Sequence, residues 1–338
     1  MKEATIYDIA KALNLSPSTV SRGLKNHPAI NAETKGKITE KAKELNYQHN
    51  TFASNLRRKS TKTIGVVIPR FDSYFMSTVI AGMELEANKS GYNLIISQSQ
   101  ESVKKEIDCI NTLFHSRVDG VLLSHAVDVD NIRHLKILQD KNIPIIVFDR
   151  AMSMSSFASI EIDNLRAGYE ATEHLISKGC KRIVHFGGGA DCDLYKDRFQ
   201  GYRLALEKHG VAYDSNLVYH NSFTEENSLN SAEDILKMDH KPDGIFIAND
   251  TSAAIIMNHL IKNGIKVPED IAIIGFNNDP ISKLVTPSLS TVNYPGVEMG
   301  RMAAFTLINI LSNNAKNSLN KILLNYEVIE RNSTCINN

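Results

Sequence analysis

A chain of 338 residues, 42% hydrophobic, buries two or three compact units, because single cores stop growing and split at roughly 100–200 residues per domain. No apolar run reaches the roughly 18 residues of a membrane span, and the opening "MKEATIYDIAK" is interrupted by Asp8 and Lys11, unlike a secretory leader, so a cytoplasmic protein is expected. Net charge is zero, yet residues 1–60 hold eleven Lys and Arg against five Asp and Glu, so a basic head suited to an anionic partner precedes an acidic body. Cys109, Cys180, Cys192 and Cys335 include no close pair of the kind a zinc site or redox motif needs, and read as reduced thiols.

The head resolves into three short helices. In "TIYDIAKAL", Thr5 and Asp8 form a capping box, and Ile6, Ile9, Ala10 and Leu13 fall on one face of a helix from Ile6 to Leu13, which Asn14 ends. Ser16 caps the next helix and Pro17 takes its first position, giving Pro17 to Leu24. On that helix Ser18, Ser21, Arg22 and Lys25 share an arc of about 100°, while Val20 and Leu24 point away. A third helix, capped by Asn31, packs through Ile38, Ala42 and Leu45. The polar arc is sized for a DNA major groove, where Arg forks onto guanine and Ser adapts to several bases. The alternative is an ordinary solvated helix face.

Residues 47–58 favour the groove. A capped turn or two from Asn50 to Arg58 isolates Leu56 among Ser54, Asn55, Arg57 and Arg58. A lone Leu on so short a basic helix is a poor core residue but suits a wedge between base steps in the minor groove. The run "TIYDIAKALNLSPSTVSRGLK", followed by "ELNYQHNTFASNLRR", resembles the lactose/galactose repressor (LacI/GalR) family of bacterial transcription regulators. The resemblance implies that Ser18 and Arg22 read bases beside Pro17, and that Leu56 intercalates at the operator centre next to Arg57. Thr5, Ser16, Thr19, Ser21 and Asn31 complete the headpiece contacts expected, and Asn50 and Ala53 those of the hinge. Pro17 offers no side-chain hydrogen bond, so its step of the readout is apolar or absent; Ser54 and Asn55 depart from the Arg and Ser often found there.

The body alternates strands and helices. The apolar runs "TIGVVIP", "NLIISQ", "GVLLS" and "IPIIVFD" are separated by helical stretches near 75–90, 102–115 and 130–140, and the cadence repeats through "SIEID", "RIVHFGG", "LVYHN", "GIFIAN" and "IAIIGF". Continuous apolar strands alternating with helices imply two doubly wound parallel sheets, with ligands outside the carboxyl ends of the strands. Residues just past those ends include Asp72, Tyr74, Phe75, Ser124, Asp149, Arg150, Arg198, Phe223, Asn249, Asp250 and Asn277 to Asp279: carboxylates, amides, arginines and aromatics suited to a polyol or sugar. The resemblance continues through "DRFQGYRLAL", "IFIANDTSAA", "VPEDIAIIGFNND" and "LSTVNYPGVEMGRMAA", and implies a two-lobed, periplasmic-binding-protein-like effector domain. There Arg198 clamps ligand, Phe75 and Phe223 flank it, Asp149 and Asn249 hydrogen-bond it, and Tyr294 joins them. Asn277 stands where the family commonly has Asp. The duller reading of Asp149, Asn249 and Asp250 is as caps, and Asp163 and Asn164 are read as caps outside the site.

Enzyme readings fare badly. "GGGAD" at 187–191 follows a strand but the dinucleotide fingerprint needs a third Gly where Cys192 stands, and no Gly-Lys-Ser phosphate loop occurs. Glu170 and His174 lack a metal-binding companion pair, and the eleven histidines show no cluster along the chain, so neither cofactor nor metal is expected. A transport-type solute-binding protein would suit the body alone, but not the basic head. The expected architecture is an all-α helix-turn-helix headpiece over 1–47, a hinge helix and linker over 48–62, and an α/β two-lobed domain. Its first lobe takes 63–161 and 293–323, and its second 162–292 and 324–338. The expected partners are pseudo-palindromic operator DNA, a small-molecule effector of the carbohydrate class, and a second copy of the chain, because a two-fold operator needs two heads about one helical turn apart. The tail "NSTCINN" lacks leucine heptads, giving no coiled-coil route to a tetramer.

Overall fold

The structure, a computed structural model, describes residues 4–47, 60–127, 131–152, 157–189, 191–313 and 321–335, in two compact units spanning 1–61 and 62–338. The first unit holds α1 (Ile6–Leu13), α2 (Pro17–Leu24) and α3 (Ala32–Glu44). Asp8 accepts both the Thr5 N–H at 2.8 Å and the Thr5 hydroxyl at 2.6 Å, Asn14 ends α1 in the left-handed conformation, and Ser16 and Asn31 cap α2 and α3 through the Thr19 and Thr34 N–H groups. Ile9, Ala10, Val20, Ile38 and Ala42 form its core, with Leu13, Leu24 and Tyr47 packed around them. Leu45, expected in this core, is instead 37% exposed: it is the C-cap of α3, past the last turn that faces inward, and Tyr47 packs there instead.

The second unit carries two six-stranded sheets. The first has the order β11-β5-β4-β3-β1-β2, all parallel, built from β1 (Thr63–Ile68), β2 (Asn93–Gln98), β3 (Gly120–Leu123), β4 (Ile145–Phe148), β5 (Ala158–Glu161) and β11 (Lys321–Leu323). The strand of "SIEID", β5, therefore belongs here, within residues 63–161, although the cadence of apolar runs groups it with the second repeat. The second sheet runs β12-β10-β9-β8-β6-β7, from β6 (Ile183–Gly187), β7 (Val218–His220), β8 (Gly244–Ile247), β9 (Ala272–Asn277), β10 (Ser290–Asn293) and β12 (Glu327–Ile329). β12 pairs antiparallel with β10, against the expectation of purely parallel sheets. It follows β11 of the first sheet after three residues: β11 runs parallel to its neighbours toward the edge where the lobes meet, so the chain enters the second lobe from that edge and β12 runs away from it.

Helices α4 (Tyr74–Lys89), α5 (Val103–His115) and the short α6 (Lys136–Gln139) connect strands of the first sheet. In the second, α7 (Asn164–Ser177) precedes β6, and α8 (Asp193–Lys208), α9 (Glu225–Lys237), α10 (Asp250–Lys262) and the short α11 (Ile281–Leu284) follow β6, β7, β8 and β9; α12 (Gly296–Asn313) follows β10. Among the described residues the chain passes between the lobes three times: after β5 into α7, which packs on the second sheet; from β10 into α12, which packs on β3, β4 and β5; and from β11 to β12. Buried apolar clusters line both faces of each sheet, as burial of continuous apolar strands requires. α12 crosses α4 in the first lobe and α8 crosses α7 in the second, each with close backbone contact. A Cβ at Gly300 would lie 1.9 Å from the Val79 carbonyl oxygen, and one at Gly201 2.0 Å from that of Leu165. Among the described residues, no helix is long and apolar enough to cross a membrane.

Candidate functional site

On the headpiece, α2 presents Ser18, Arg22 and Lys25 to solvent and half-exposes Pro17, Thr19 and Ser21, while Val20 and Gly23 are buried against the rest of the unit. Ser16 Oγ lies 2.7 Å from Ser18 Oγ and 2.8 Å from Thr19 Oγ1, so the hydroxyls at the start of α2 form one chain. Among the described residues the Arg22 guanidinium has no hydrogen-bond or ion-pair partner, leaving its donors available to a ligand. Tyr7 on α1 is 69% exposed, an aromatic that core-seeking periodicity passes over. Asn50, Ala53, Leu56 and Arg57 lie outside the described residues.

In the body, the strand ends of both sheets enclose a cavity of about 390 Å³. It is lined by Asp72, Tyr74, Phe75, Asp149, Arg198, Phe223, Asn249, Asn277 and Tyr294, so nine of the ten effector residues expected from the sequence meet in one place. Ser124, expected at the site, is the exception. It is fully buried and its N–H still donates to the Val67 carbonyl, which makes it part of the sheet interior and not of the rim. Arg150, Tyr195 and Asp279, which the sequence places just past strand ends, also line the cavity, as does Glu101, which the strand pattern does not point to.

The wall is preorganised. Phe75 and Tyr294 stack with ring centroids 4.3 Å apart, and the Tyr294 hydroxyl donates to Asp149 Oδ1 at 2.7 Å. Burial pushes the Asp149 carboxyl up, against the opposing pull of Arg150. The Arg198 guanidinium lies 3.5 Å above the Phe276 ring; its Nε donates to Asn164 Oδ1 at 2.9 Å and Nη1 to the Ala248 carbonyl at 3.3 Å. Asn164, set aside in the sequence as a cap, is thus the residue that orients Arg198, whereas Asp163 does cap α7 through the Arg166 N–H. Arg150 forks onto Glu101 with bonds of 2.6 and 3.0 Å and lies 5.8 Å from the Tyr195 ring, which meets Phe223 edge-on. Arg70 is held by Asp72. Asn249 both lines the cavity and caps α10 through the Ser252 N–H, so its two readings coexist.

Asp149 (φ 61°) and Asn277 (φ 114°) adopt positive φ at the cavity and Asn278 (φ 59°) beside it, a conformation that concentrates at ligand sites because surrounding contacts must enforce it. Behind this rim Asp250 is fully buried, accepting the Thr291 hydroxyl at 2.7 Å and the Asp279 N–H at 2.8 Å. Burial pushes its carboxyl to about 7 and that of Asp279 to about 6. The histidines, dispersed in sequence, do gather at one place: His125 and His134 both face Glu106.

An exposed polar recognition helix on a three-helix unit, with a two-lobed body that closes aromatics and polar side chains around a small-molecule-sized cavity, defines a DNA-binding transcription regulator. A family model described as bacterial regulatory proteins of the lacI family matches residues 5–50, and one described as a periplasmic binding protein-like domain matches 172–334. The NTD biosynthesis operon regulator NtdR of Bacillus subtilis is 33% identical over 331 residues, covering 98% of this chain and 99% of the relative. The regulator RegA of Clostridium acetobutylicum is 33% identical over 334 residues, with coverage of 98% and 99%. A solved complex of the transcriptional regulator CelR with cellobiose is 25% identical with a TM-score of 0.75, covering 98% of this chain and 99% of that one. The lac repressor dimer bound to operator and the anti-inducer ONPF shares the fold, at 21% identity and a TM-score of 0.88 over 99% of this chain and 100% of that one. The chain belongs to the lacI family of bacterial transcription regulators. Its relatives are regulators and not enzymes, and so is this chain.

Proposed function

We propose that the protein is a homodimeric repressor, acting in the cytoplasm, whose hold on a pseudo-palindromic operator is set by a sugar or sugar derivative bound between the lobes. In this reading residues 1–47 are the DNA-binding domain and 48–62 the hinge. The first lobe takes 63–161 and 293–323, the second 162–292 and 324–338. Ser18 and Arg22 read bases beside Pro17, supported by Thr5, Ser16, Thr19, Ser21 and Asn31. Leu56 wedges into the minor groove with Asn50, Ala53 and Arg57 around it, at a cost of a few kcal/mol offset by the bend it permits.

The observation that carries the effector class is the charge state of the cavity wall. Two of the three arginines there are paired with carboxylates, Arg70 with Asp72 and Arg150 with Glu101, while Arg198 lies on the Phe276 ring and donates to the neutral Asn164 and Ala248 carbonyl oxygens. The four carboxyl groups on the wall, Asp72, Glu101, Asp149 and Asp279, outnumber the three arginines and disfavour a further anion, whereas a hydroxyl-rich ring can stack on Phe75 or Tyr195 and exchange hydrogen bonds with Arg198, Asp149, Asn249 and Asn277. The CelR structure, solved with cellobiose, supports the same class. Effector binding rotates one lobe against the other and alters the spacing of the two hinges, a coupling of about 1–3 kcal/mol that acts reciprocally on DNA and effector.

A thermal-shift screen of neutral sugars, sugar phosphates and purines, followed by operator binding with each hit, tests this. A neutral sugar should raise Tm and change operator affinity about 5–150-fold. With Arg198→Ala the shift should vanish while operator binding in the absence of effector persists. A phosphorylated or purine hit that alone changes operator affinity would overturn the assignment of class.

A further inference from the structure

Behind the cavity wall lies a cluster that the regulator reading does not use. Glu106 on α5, His125 just past β3 and His134 in the 3-10 turn Arg133–Leu135 come together in the first lobe. Glu106 is fully buried and His125 is 2% exposed. His125 Nδ1, at 2.9 Å, and His134 Nε2, at 2.8 Å, face the same Glu106 oxygen, Oε1, and one donor atom from each residue lies within 4.8 Å of the other two. The second oxygen, Oε2, accepts the Ala126 N–H at 2.7 Å, which fixes the plane of the carboxylate.

Two features leave this cluster incomplete as a hydrogen-bond network. No Lys or Arg among the described residues pairs with Glu106, so its buried carboxylate needs a positive partner, which an imidazolium or a bound cation can supply. In addition, the other ring nitrogen of His125, the buried Nε2, has no hydrogen-bond partner among the described residues, so the ring is held only through Nδ1, the atom that faces Glu106.

We propose that Glu106, His125 and His134 form a binding site for a divalent transition-metal cation, with zinc(II) the ion that this donor set fits. Two imidazoles and one carboxylate, with no thiolate, match borderline zinc chemistry, and three protein donors leave one position for solvent. Tetrahedral donors at about 2.1 Å from zinc stand about 3.4 Å apart, so the two imidazole–carboxylate spacings need open by about half an ångström, and the two imidazole nitrogens already lie within 4.8 Å of each other. The Ala126 N–H on Oε2 supplies the outer hydrogen bond that orients a ligating carboxylate. The site also adjoins the cavity wall, since the His125 carbonyl accepts from Arg150 at 3.4 Å and the Val127 N–H donates to Glu101 at 3.2 Å.

The test uses the full chain, stripped with a chelator and dialysed. Zinc(II) alone should be retained at one ion per chain through gel filtration and raise Tm, and cobalt(II) in its place should give the visible bands of a tetrahedral nitrogen and oxygen site. Glu106→Gln and His134→Gln should each weaken binding by about tenfold or more. Operator binding and far-UV circular dichroism should stay unchanged, showing that both variants are folded. If Glu106→Gln does not fold, His134→Gln on its short turn and the wild-type cobalt spectrum decide. The proposal is overturned if the wild type retains no stoichiometric ion, or if a folded variant binds zinc as tightly as the wild type, since the ion would then sit on other histidines.

Discussion

His185, in the middle of β6, is fully buried with its ring 5.1 Å from that of Tyr202 and 4.8 Å from that of Phe246. Burial holds its pKa at about 3, against about 6.5 in the unfolded chain, so the native state refuses a proton that the unfolded state accepts. Its contribution is therefore fully present above pH 6.5 and is lost as pH falls toward 3. Between pH 6.5 and 5 the loss should be about 2 kcal/mol, and His185→Phe should remove it, visible as a smaller difference in Tm between pH 7 and pH 5. At the DNA surface, Arg22→Ala should cost about 1–3 kcal/mol at one base position and relax preference there, measured by binding to operators substituted at each step. At this scale the sequence was informative wherever a polar residue followed an apolar strand: Asp149, Asn249 and Asn277 lie at the cavity for that reason. It was uninformative where a side chain works across elements. Asn164 reads as a cap because its bond to Arg198 spans 34 positions, and the two histidines at Glu106 stand 19 and 28 positions away.

Between elements, the packing of α8 on α7 decides where Arg198 sits, and Gly201 decides how near the two helices come. Gly201→Ala puts a methyl group against the Leu165 carbonyl, backbone that cannot rotate aside as a side chain could. We expect a loss of about 1–3 kcal/mol, read as a lower urea midpoint with unchanged slope. The shifted helix should also weaken the Tm rise that an effector produces. In sequence such a glycine signals only a weakened helix, at about 1 kcal/mol relative to Ala, so the close crossing was not legible although both helices were. The strands were legible from their continuous apolar runs. The reversed direction of β12 was not, because nothing in "YEVIE" distinguishes a parallel from an antiparallel edge.

For the whole molecule, the uneven charge was the feature that composition concealed and position revealed, and it makes salt the natural probe. The logarithm of operator affinity should fall linearly with the logarithm of salt concentration. Arg58→Ala should flatten that slope by about 1 per chain, hence about 2 in a dimer, while weakening all DNA sequences alike. Sedimentation should give a two-chain species, and a four-chain species would refute the assembly proposed. The three passages of the chain between lobes have a consequence during synthesis. The first compact unit, residues 1–61, is made early, but the first lobe lacks α12 and β11 until residue 323 has been made. At roughly 5–20 residues per second the ribosome needs about 13–50 s for that interval. Throughout it the nascent polypeptide displays a completed reading head on an unfinished receptor, so a newly made molecule acquires its address before it acquires its ear.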